Sequence, residues 1–330
     1  MNFKKNILVT GGAGFIGSNL LTYFIPKYPN YNFIIIDILS YASCYDNIKY
    51  LEKYPNYNFL KGDILDYNMI TETFKNFNID SIIHLAAESH VDNSIDNPDL
   101  FAKVNILGTL NLLRAAQFFW SDKLVDKLFY HISTDEVFGA LDINGRFSED
   151  SKYDPKSPYS SSKASSDHFV RAYHNTYKLP IIISNCSNNY GKWQHFEKLI
   201  PNTINCIKNR KKIPVYGDGK NIRDWIYVDD HIRMIDLIFH EGNIGETYCL
   251  GSNNELTNMQ LVEKIIEISD KISNYKSENS KKLIEFVKDR PGHDFRYAID
   301  SSKFLNQFKR FKFSNFEDSL TSTVEYYLST

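Results

Sequence analysis

The sequence predicts an α/β protein: a doubly wound parallel sheet carrying a smaller, mixed α/β lobe. Three observations lead there. Short apolar runs alternate with amphipathic stretches through the first half of the chain, the first run enters a glycine-rich turn, and the rhythm breaks after about residue 186. Strand–helix alternation argues for parallel strands covered on both faces.

In chain order, Ile7–Thr10, Phe33–Asp37, Asn58–Lys61, Ser81–Leu85 and Leu128–Ser133 read as buried strands. Ser18–Ile25, Asn68–Phe77 and Asp99–Ser121 read as the intervening helices. In the last of these, Leu107, Leu110, Leu112 and Leu113 form an apolar stripe. A helix over Ser160–Tyr177 then leads into a strand over Leu179–Ser184. Beyond it, Asn, Gly and Pro separate less regular elements, among them an amphipathic helix at Asn258–Ser273 and a polar surface loop at Tyr275–Lys282. Two domains follow from this: 1–185, and a substrate-covering lobe at 186–330, with some later segments packing back on the first.

Composition narrows the function classes. Across 330 residues, 42% are hydrophobic and 24% charged, ordinary values for a globular enzyme-sized chain. Lys and Arg total 38 against 40 Asp and Glu, which gives no support to a broad nucleic-acid surface. The four cysteines (Cys44, Cys186, Cys206, Cys249) form no C-x-x-C pair, so neither a zinc site nor a disulfide framework is expected. The basic start Met1–Val9 stops at Thr10-Gly11, short of a signal sequence, and no run of about 18 apolar residues exists to cross a membrane. A cytoplasmic protein is expected.

The strand Ile7–Thr10 runs into Gly11-Gly12-Ala13-Gly14-Phe15-Ile16-Gly17 and then a helix. Glycines at this spacing permit a tight turn, close backbone approach to a pyrophosphate, and tight helix–sheet packing. The helix N-terminus adds free N–H groups for the phosphates. Asp37 ends the next strand 20 residues after Gly17. An acid there accepts from the adenosine ribose and repels a 2′-phosphate, which selects NAD over NADP. The sheet is thus of Rossmann type.

Tyr159 and Lys163 stand one helical turn apart. The same spacing occurs at Tyr23/Lys27, Tyr45/Lys49, Tyr57/Lys61 and Tyr216/Lys220, so spacing alone selects nothing. Context does: Pro158 precedes the pair, a helix follows, and a strand ends just upstream in Ser133-Thr134-Asp135-Glu136. Ligands of open α/β sheets bind outside the carboxyl ends of the strands. A lysine and a bound nicotinamide would both lower the Tyr159 pKa and make it a general base. Two adjacent carboxyls can divide acid and base work; an ordinary N-cap and turn is the other reading of the same residues.

Together these residues resemble the extended short-chain dehydrogenase/reductases and, within them, the nucleoside-diphosphate-glucose 4,6-dehydratases. The resemblance runs through Gly11–Ser18, Leu85–Asp92, His131–Gly139, Ser157–Ala164, Asn185–Gly191, Glu197–Pro201, Pro214–Gly219, Arg223–Trp225 and Asp289–Asp294. It implies a redox-neutral dehydration with retained NAD, of dTDP-glucose or, second, UDP-glucose, as a step toward rhamnose-type deoxysugars. Tyr159 and Lys163 would act with Thr134, Asp135 and Glu136. Gly11, Gly14, Phe15, Ile16, Gly17, Asp37, Ser40, Asp63, Ile64, Leu85, Ala87, Ser89 and Asn189 would line the cofactor, together with Tyr159 and Lys163. Ser89, Thr134, Asn188, Lys198, Leu199, Pro214, Tyr216, Arg223, Asn258, Arg290, His293 and Tyr297 would hold the substrate; no metal is implied. A homodimer through a four-helix bundle, built from Asp99–Ser121 and Ser160–Tyr177, is implied too.

The chain departs from the family at Asn93 (usually arginine), Val104 (threonine), Ser40 (threonine) and Phe138 (tyrosine). None of these removes a reacting group. His90 reads as a satisfied buried histidine rather than a site residue, and Trp193 and Trp225 as packing. The competing functions are a nucleotide-sugar 4-epimerase of the same superfamily and a non-enzymatic NAD-binding protein.

Overall fold

The computed structural model describes residues 3–121, 123–273, 280–289 and 291–330. Seven strands form the main sheet in the order β10-β6-β5-β4-β1-β2-β3. They are β1 (Lys5–Thr10), β2 (Tyr31–Asp37), β3 (Tyr57–Lys61), β4 (Ser81–His84), β5 (Leu128–Thr134), β6 (Ile181–Cys186) and β10 (Thr247–Leu250). β1 pairs in parallel with β2 on one side and with β4 on the other, so the strand order reverses at β1. That reversal opens the crevice where α/β sheets bind ligands. β2 reads Tyr-Asn-Phe-Ile-Ile-Ile-Asp and is buried along its whole length, the run expected of a strand covered on both faces.

The covering helices are α1 (Phe15–Lys27), α2 (Asp46–Lys49), α3 (Tyr67–Phe77), α4 (Val91–Asp96), α5 (Pro98–Phe101), α6 (Thr109–Trp120) and α7 (Pro158–Tyr177). Phe74 of α3, Leu112, Leu113 and Trp120 of α6, and Val170 of α7 pack on Leu8, Ile34, Ile82 and Ile183 of the sheet. Each fully buried side chain of this kind contributes about 1.5–3 kcal/mol.

The single helix expected over Asp99–Ser121 is broken in phase. α5 and α6 are joined by a π-helical turn, Ala102–Gly108. One π turn advances the side chains differently from an α turn. Leu112 and Leu113 therefore face the core, while Leu107 is 50% exposed, and the four-leucine stripe does not hold. The π turn also brings Gly108 against Ile64, where a Cβ would lie 2.4 Å from the isoleucine side chain.

The chain divides into two compact units. Unit 1 comprises Met1–Phe138, Lys152–Asn185 and Met234–Tyr248; unit 2 comprises Gly139–Ser151, Cys186–Arg233 and Cys249–Thr330. The segment Gly139–Ser151 joins unit 2 because Leu141 and Phe147 bridge to Arg296 and Ile299. Unit 2 holds β7 (Asn188–Tyr190), β8 (Ile213–Tyr216), β9 (Ile222–Tyr227), β11 (Glu255–Thr257) and β12 (Ile284–Val287). Its core joins Ile200, Ile204 and Ile207 of α8 (Leu199–Lys208) to Leu261, Ile265 and Ile266 of α10 (Asn258–Ile272). Leu320 and Val324 of the C-terminal helix Phe316–Ser329 complete it. Between α8 and α10 in the chain, α9 (Val228–Glu241) follows β9.

Of the expected surface loop Tyr275–Lys282, residues 275–279 lie outside the described residues. Ser280 is buried, its hydroxyl held by Asp270 and Arg210, whereas Lys281 and Lys282 are exposed, as a surface loop would have them. Among the described residues no helix is long and apolar enough to cross a membrane, and no cluster suited to a metal ion occurs.

Candidate active site

The glycine loop is shaped by its neighbours' main chain. Gly11 has φ +73°, and a Cβ on it would lie 2.6 Å from the Ala86 nitrogen. A Cβ on Gly17 would sit 2.2 Å from the Gly11 carbonyl oxygen. Only glycine allows loop, helix and the chain after β4 to approach so closely. α1 then begins at Phe15 with no side-chain cap and no acid in its first turn. Its N-terminal N–H groups and partial positive charge suit a phosphate.

Asp37, at the end of β2, faces this loop. One carboxylate oxygen accepts from the Ala13 N–H at 2.9 Å, and the other from the Leu39 N–H (2.8 Å) and the Ser43 hydroxyl (2.9 Å). Ser43 was not anticipated; Ser40 is tied to it through its carbonyl, which accepts from the Ser43 N–H. Asp63 accepts from the Leu65 N–H in a local turn, and Ile64 is buried. Leu85 continues the sheet by donating to the Thr10 carbonyl, Ala87 is half-buried and Ser89 exposed. All of these belong to unit 1.

The groups expected to react stand at the end of β5, in the turn that follows it, and on α7. Ser157 caps α7 in a reciprocal bond pair with Ser160, with Pro158 in the first turn, so the helix starts two residues earlier than expected. Tyr159 and Lys163 thereby fall in its first two turns, and both are buried. Lys163 Nζ donates to the Ile132 carbonyl at 2.9 Å, which docks the helix on β5 two residues before Thr134. β5 ends in Thr134, and Asp135–Phe138 continue as a single 3-10 turn. The Glu136 N–H donates to the Thr134 hydroxyl, and that hydroxyl lies 3.4 Å from the Asp135 carboxylate. Thr134, Asp135, Glu136, Tyr159 and Lys163 thus stand on β5, the turn that continues it, and α7, all within unit 1.

A buried polar frame supports them. Asn185, at the end of β6, donates to the Thr134 carbonyl and to Asp167, each at 3.1 Å. Asp167, one turn beyond Lys163, also accepts from Tyr153 (2.7 Å) and lies 3.1 Å from His131 Nε2. Burial pushes the His131 pKa down to about 4, against the pull of Asp167. Burial alone would raise Asp167, but its hydrogen bonds and the charges of His131 and Lys163 hold it down to about 2. Asn105, in the π turn, clamps Glu88 through both its N–H and C=O and donates to Ser162 at 2.8 Å. From the sequence no site role is expected for Asn105, Asp167 or Asn185, although the family resemblance runs through Asn185. Their signal is a polar residue on an otherwise apolar helix face or strand end.

The remaining candidates lie in unit 2. Asn189 is held by both ends of its amide: Nδ2 donates to the Ser187 carbonyl, and Oδ1 pairs with His231 Nδ1 at 2.8 Å. Asn188 stands beside it on β7. Lys198 precedes α8, 3.6 Å from Glu197, and Leu199 opens that helix. Pro214 and Tyr216 lie on β8; the Tyr216 ring meets that of His293, whose Nδ1 lies 2.6 Å from Asp289. The Arg223 guanidinium stacks 4.4 Å over Tyr297 and donates to the carbonyls of Ile222, Asp294 and Phe295. The Tyr297 hydroxyl donates to Asp294. Asn258 opens α10, its N–H on the Asn221 carbonyl. Arg290 lies outside the described residues.

Two neighbours differ from expectation. His90 is not a buried core residue but half-buried, its ring spent on capping α4, with Nδ1 accepting from the Asn93 N–H. Trp225 packs in the unit 2 core, as expected, whereas Trp193 is partly exposed, with φ +70° and Lys192 over its ring.

The profile of the family described as "GDP-mannose 4,6 dehydratase" matches residues 8–319. A Sinorhizobium fredii protein named "Probable dTDP-glucose 4,6-dehydratase" is 49% identical over 326 residues, covering 98% of this chain and 92% of the relative. A Bacillus anthracis dTDP-glucose 4,6-dehydratase, solved in complex with NAD, superposes with TM-score 0.87 at 42% identity, covering 98% and 97% of the two chains. A Streptomyces venezuelae dTDP-glucose 4,6-dehydratase, also solved with NAD bound, gives TM-score 0.90 at 38% identity over 98% and 97%. The chain belongs to the GDP-mannose 4,6 dehydratase family.

Proposed function

We propose that this chain is an NAD-dependent hydro-lyase that converts a nucleoside-diphosphate-glucose to the 4-keto-6-deoxy sugar, with dTDP-glucose the preferred substrate. The observation that carries this reading is the joining of Tyr159 and Lys163, through the Lys163–Ile132 bond, to the strand that ends in Thr134 and runs on into the Asp135-Glu136 turn. An epimerase has no use for two carboxyls beside C5 and C6.

The residues fit NAD. The Gly11–Gly17 loop and the uncapped start of α1 would hold the pyrophosphate, and Asp37 the adenosine ribose. Three donors fill three of the roughly four acceptor positions of that carboxylate, which leaves one for a ribose hydroxyl. When bound, NAD supplies a hydride acceptor at C4 and a donor at C6.

Tyr159 takes the proton of the 4-hydroxyl while Thr134 holds that oxygen, and the Lys163 cation stabilises the phenolate. The resulting ketone acidifies C5–H. Glu136 removes that proton, and Asp135 protonates the departing 6-hydroxyl, so water leaves. Glu136 then returns a proton to C5. In unit 2, Lys198, Arg223, His293 and Tyr297 supply the cations and ring for the nucleotide diphosphate, with Arg290 as a further cation.

The test is turnover of purified protein on dTDP-glucose and UDP-glucose separately. The reading expects a keto product one water lighter, formed faster from the dTDP sugar. A product of unchanged mass with inverted C4 would sink it.

A homodimer and a cytoplasmic setting belong to the same proposal. Leu107 of the π turn and Phe169 of α7 are apolar side chains turned to solvent, on segments that pack against each other within the subunit. The four cysteines form no disulfide, which fits a reducing compartment. A monomeric mass at micromolar concentration would contradict the dimer.

A further inference from the structure

His84, the last residue of β4, is fully buried and belongs to none of the roles above. Both of its nitrogens are occupied: Nδ1 lies 2.7 Å from the Thr10 hydroxyl and Nε2 2.9 Å from the Thr109 hydroxyl. The direction of each bond follows from the ends of the chain. The Thr109 hydroxyl donates its one proton to the Asn105 carbonyl at 2.6 Å, and a carbonyl can only accept. The Thr109 oxygen must therefore accept from His84 Nε2–H. With the proton on Nε2, Nδ1 accepts from the Thr10 hydroxyl, whose oxygen in turn receives the Ala86 N–H at 3.3 Å. The opposite tautomer would forfeit the bond to Asn105. Burial disfavours the imidazolium and keeps the ring neutral.

The chain of bonds runs between two working parts of unit 1. Thr10 is the residue before Gly11. Asn105 clamps Glu88 and donates to Ser162, whose hydroxyl donates to the Tyr159 carbonyl at 2.7 Å. We infer that His84 is a positioning residue: as a neutral Nε2–H imidazole it couples the end of β1, where the glycine loop begins, to the helical turn carrying Tyr159. Its kinetic consequence rests on the dehydratase reading; its tautomer does not.

Two measurements test this. In the ¹⁵N-histidine spectrum of the NAD-loaded protein, the signal lost in His84→Gln should show Nε2 protonated and Nδ1 bare. If His84→Gln does not fold, Thr109→Val identifies the same ring by shifting it. An Nδ1–H tautomer or an imidazolium overturns the inference. In turnover of dTDP-glucose, Thr10→Val and Thr109→Val should each lower kcat about tenfold, with KM within about twofold of wild type. Because both act through one ring, the double variant should be no slower than the worse single. Unchanged kcat, or losses that multiply in the double, overturn it. Wild-type protein that releases no water from either sugar nucleotide defeats the dehydratase reading instead, and the tautomer then decides the inference by itself.

Discussion

The two units hold their polar groups in opposite ways. In unit 1 the side chains proposed to react sit at the end of a strand, in the turn after it, and at the capped start of a helix. Main-chain atoms fix them: Lys163 on the Ile132 carbonyl, the Thr134 carbonyl on Asn185, the Tyr159 carbonyl on Ser162. In unit 2 the groups proposed to grip substrate are tied to their own surroundings. Arg223 braces three carbonyls and stacks on Tyr297, and His293 pairs with Asp289. Catalysis demands fixed geometry, which a strand end and a capped helix start deliver; the proposed recognition groups are spread over short strands, helix starts and loops and are braced by their own neighbours.

The contrast breaks most visibly at Tyr159. Tyr159→Phe should cut kcat by about 10²–10⁴-fold, and no reduced cofactor should appear when substrate is added. Glu136→Gln separates the roles within unit 1. It should slow product formation about 10²-fold while the absorbance of enzyme-bound reduced cofactor rises, because C4 oxidation proceeds and dehydration stalls. Identical behaviour of the two variants would dissolve the division of labour.

Acid should unsettle the units unequally. His131 is pushed down to about 4 by burial, so its folded pKa lies below the unfolded value. The neutral ring's contribution is full above about pH 6.5 and is lost as pH falls toward 4, about 3 kcal/mol in all. His84 shifts the same way, and Asp167, held at about 2, adds a loss at lower pH still. Unit 2 has His231, pushed by burial to about 3, but also Asp224, which burial raises to about 6 against its Ser252 and Asn254 N–H donors. A raised carboxyl contributes most below about pH 3.8 and loses that contribution as pH rises through 6. It therefore opposes the histidine. Hydrogen exchange at pH 6.5 and 4.5 should show β5 and α7 losing more protection on acidification than β9 and the Ser252–Asn254 turn. Equal losses would remove this difference between the units.

Arg223→Lys gives the smallest effect. A lysine cannot reach all three carbonyls, so unit 2 should lose about 1–2 kcal/mol while KM for the sugar nucleotide rises. A higher KM with an unchanged unfolding midpoint would show that Arg223 serves the ligand alone.

The legible part of the molecule follows the same contrast. The sheet was readable because its strands are short, fully apolar runs, as in Phe33–Ile36, and the loop because no residue but glycine fits at Gly11 and Gly17. The triplet and Tyr159 stood out by their place after a strand and after a proline. The supporting frame did not. Asn105 is useful only because a π turn rotates it toward Glu88, and no apolar periodicity announces such a turn. Yet one regularity was present: β1, β2, β4 and β5 end in Thr10, Asp37, His84 and Thr134, and Asn185 stands one residue before the end of β6. All five are buried polar residues at or next to the carboxyl end of an apolar strand. In unit 2 two of the three carbonyls that Arg223 braces lie about 70 residues further along the chain, where spacing carries no information.

The central claim is that a hydride leaves C4 and returns at C6 of the same sugar. Substrate carrying deuterium at C4 tests it directly. dTDP-glucose labelled there, turned over to completion, should yield a 4-keto-6-deoxy product with the deuterium on its C6 methyl group and a solvent-derived proton at C5. Deuterium retained at C4 of an epimerised, undehydrated sugar would contradict the account.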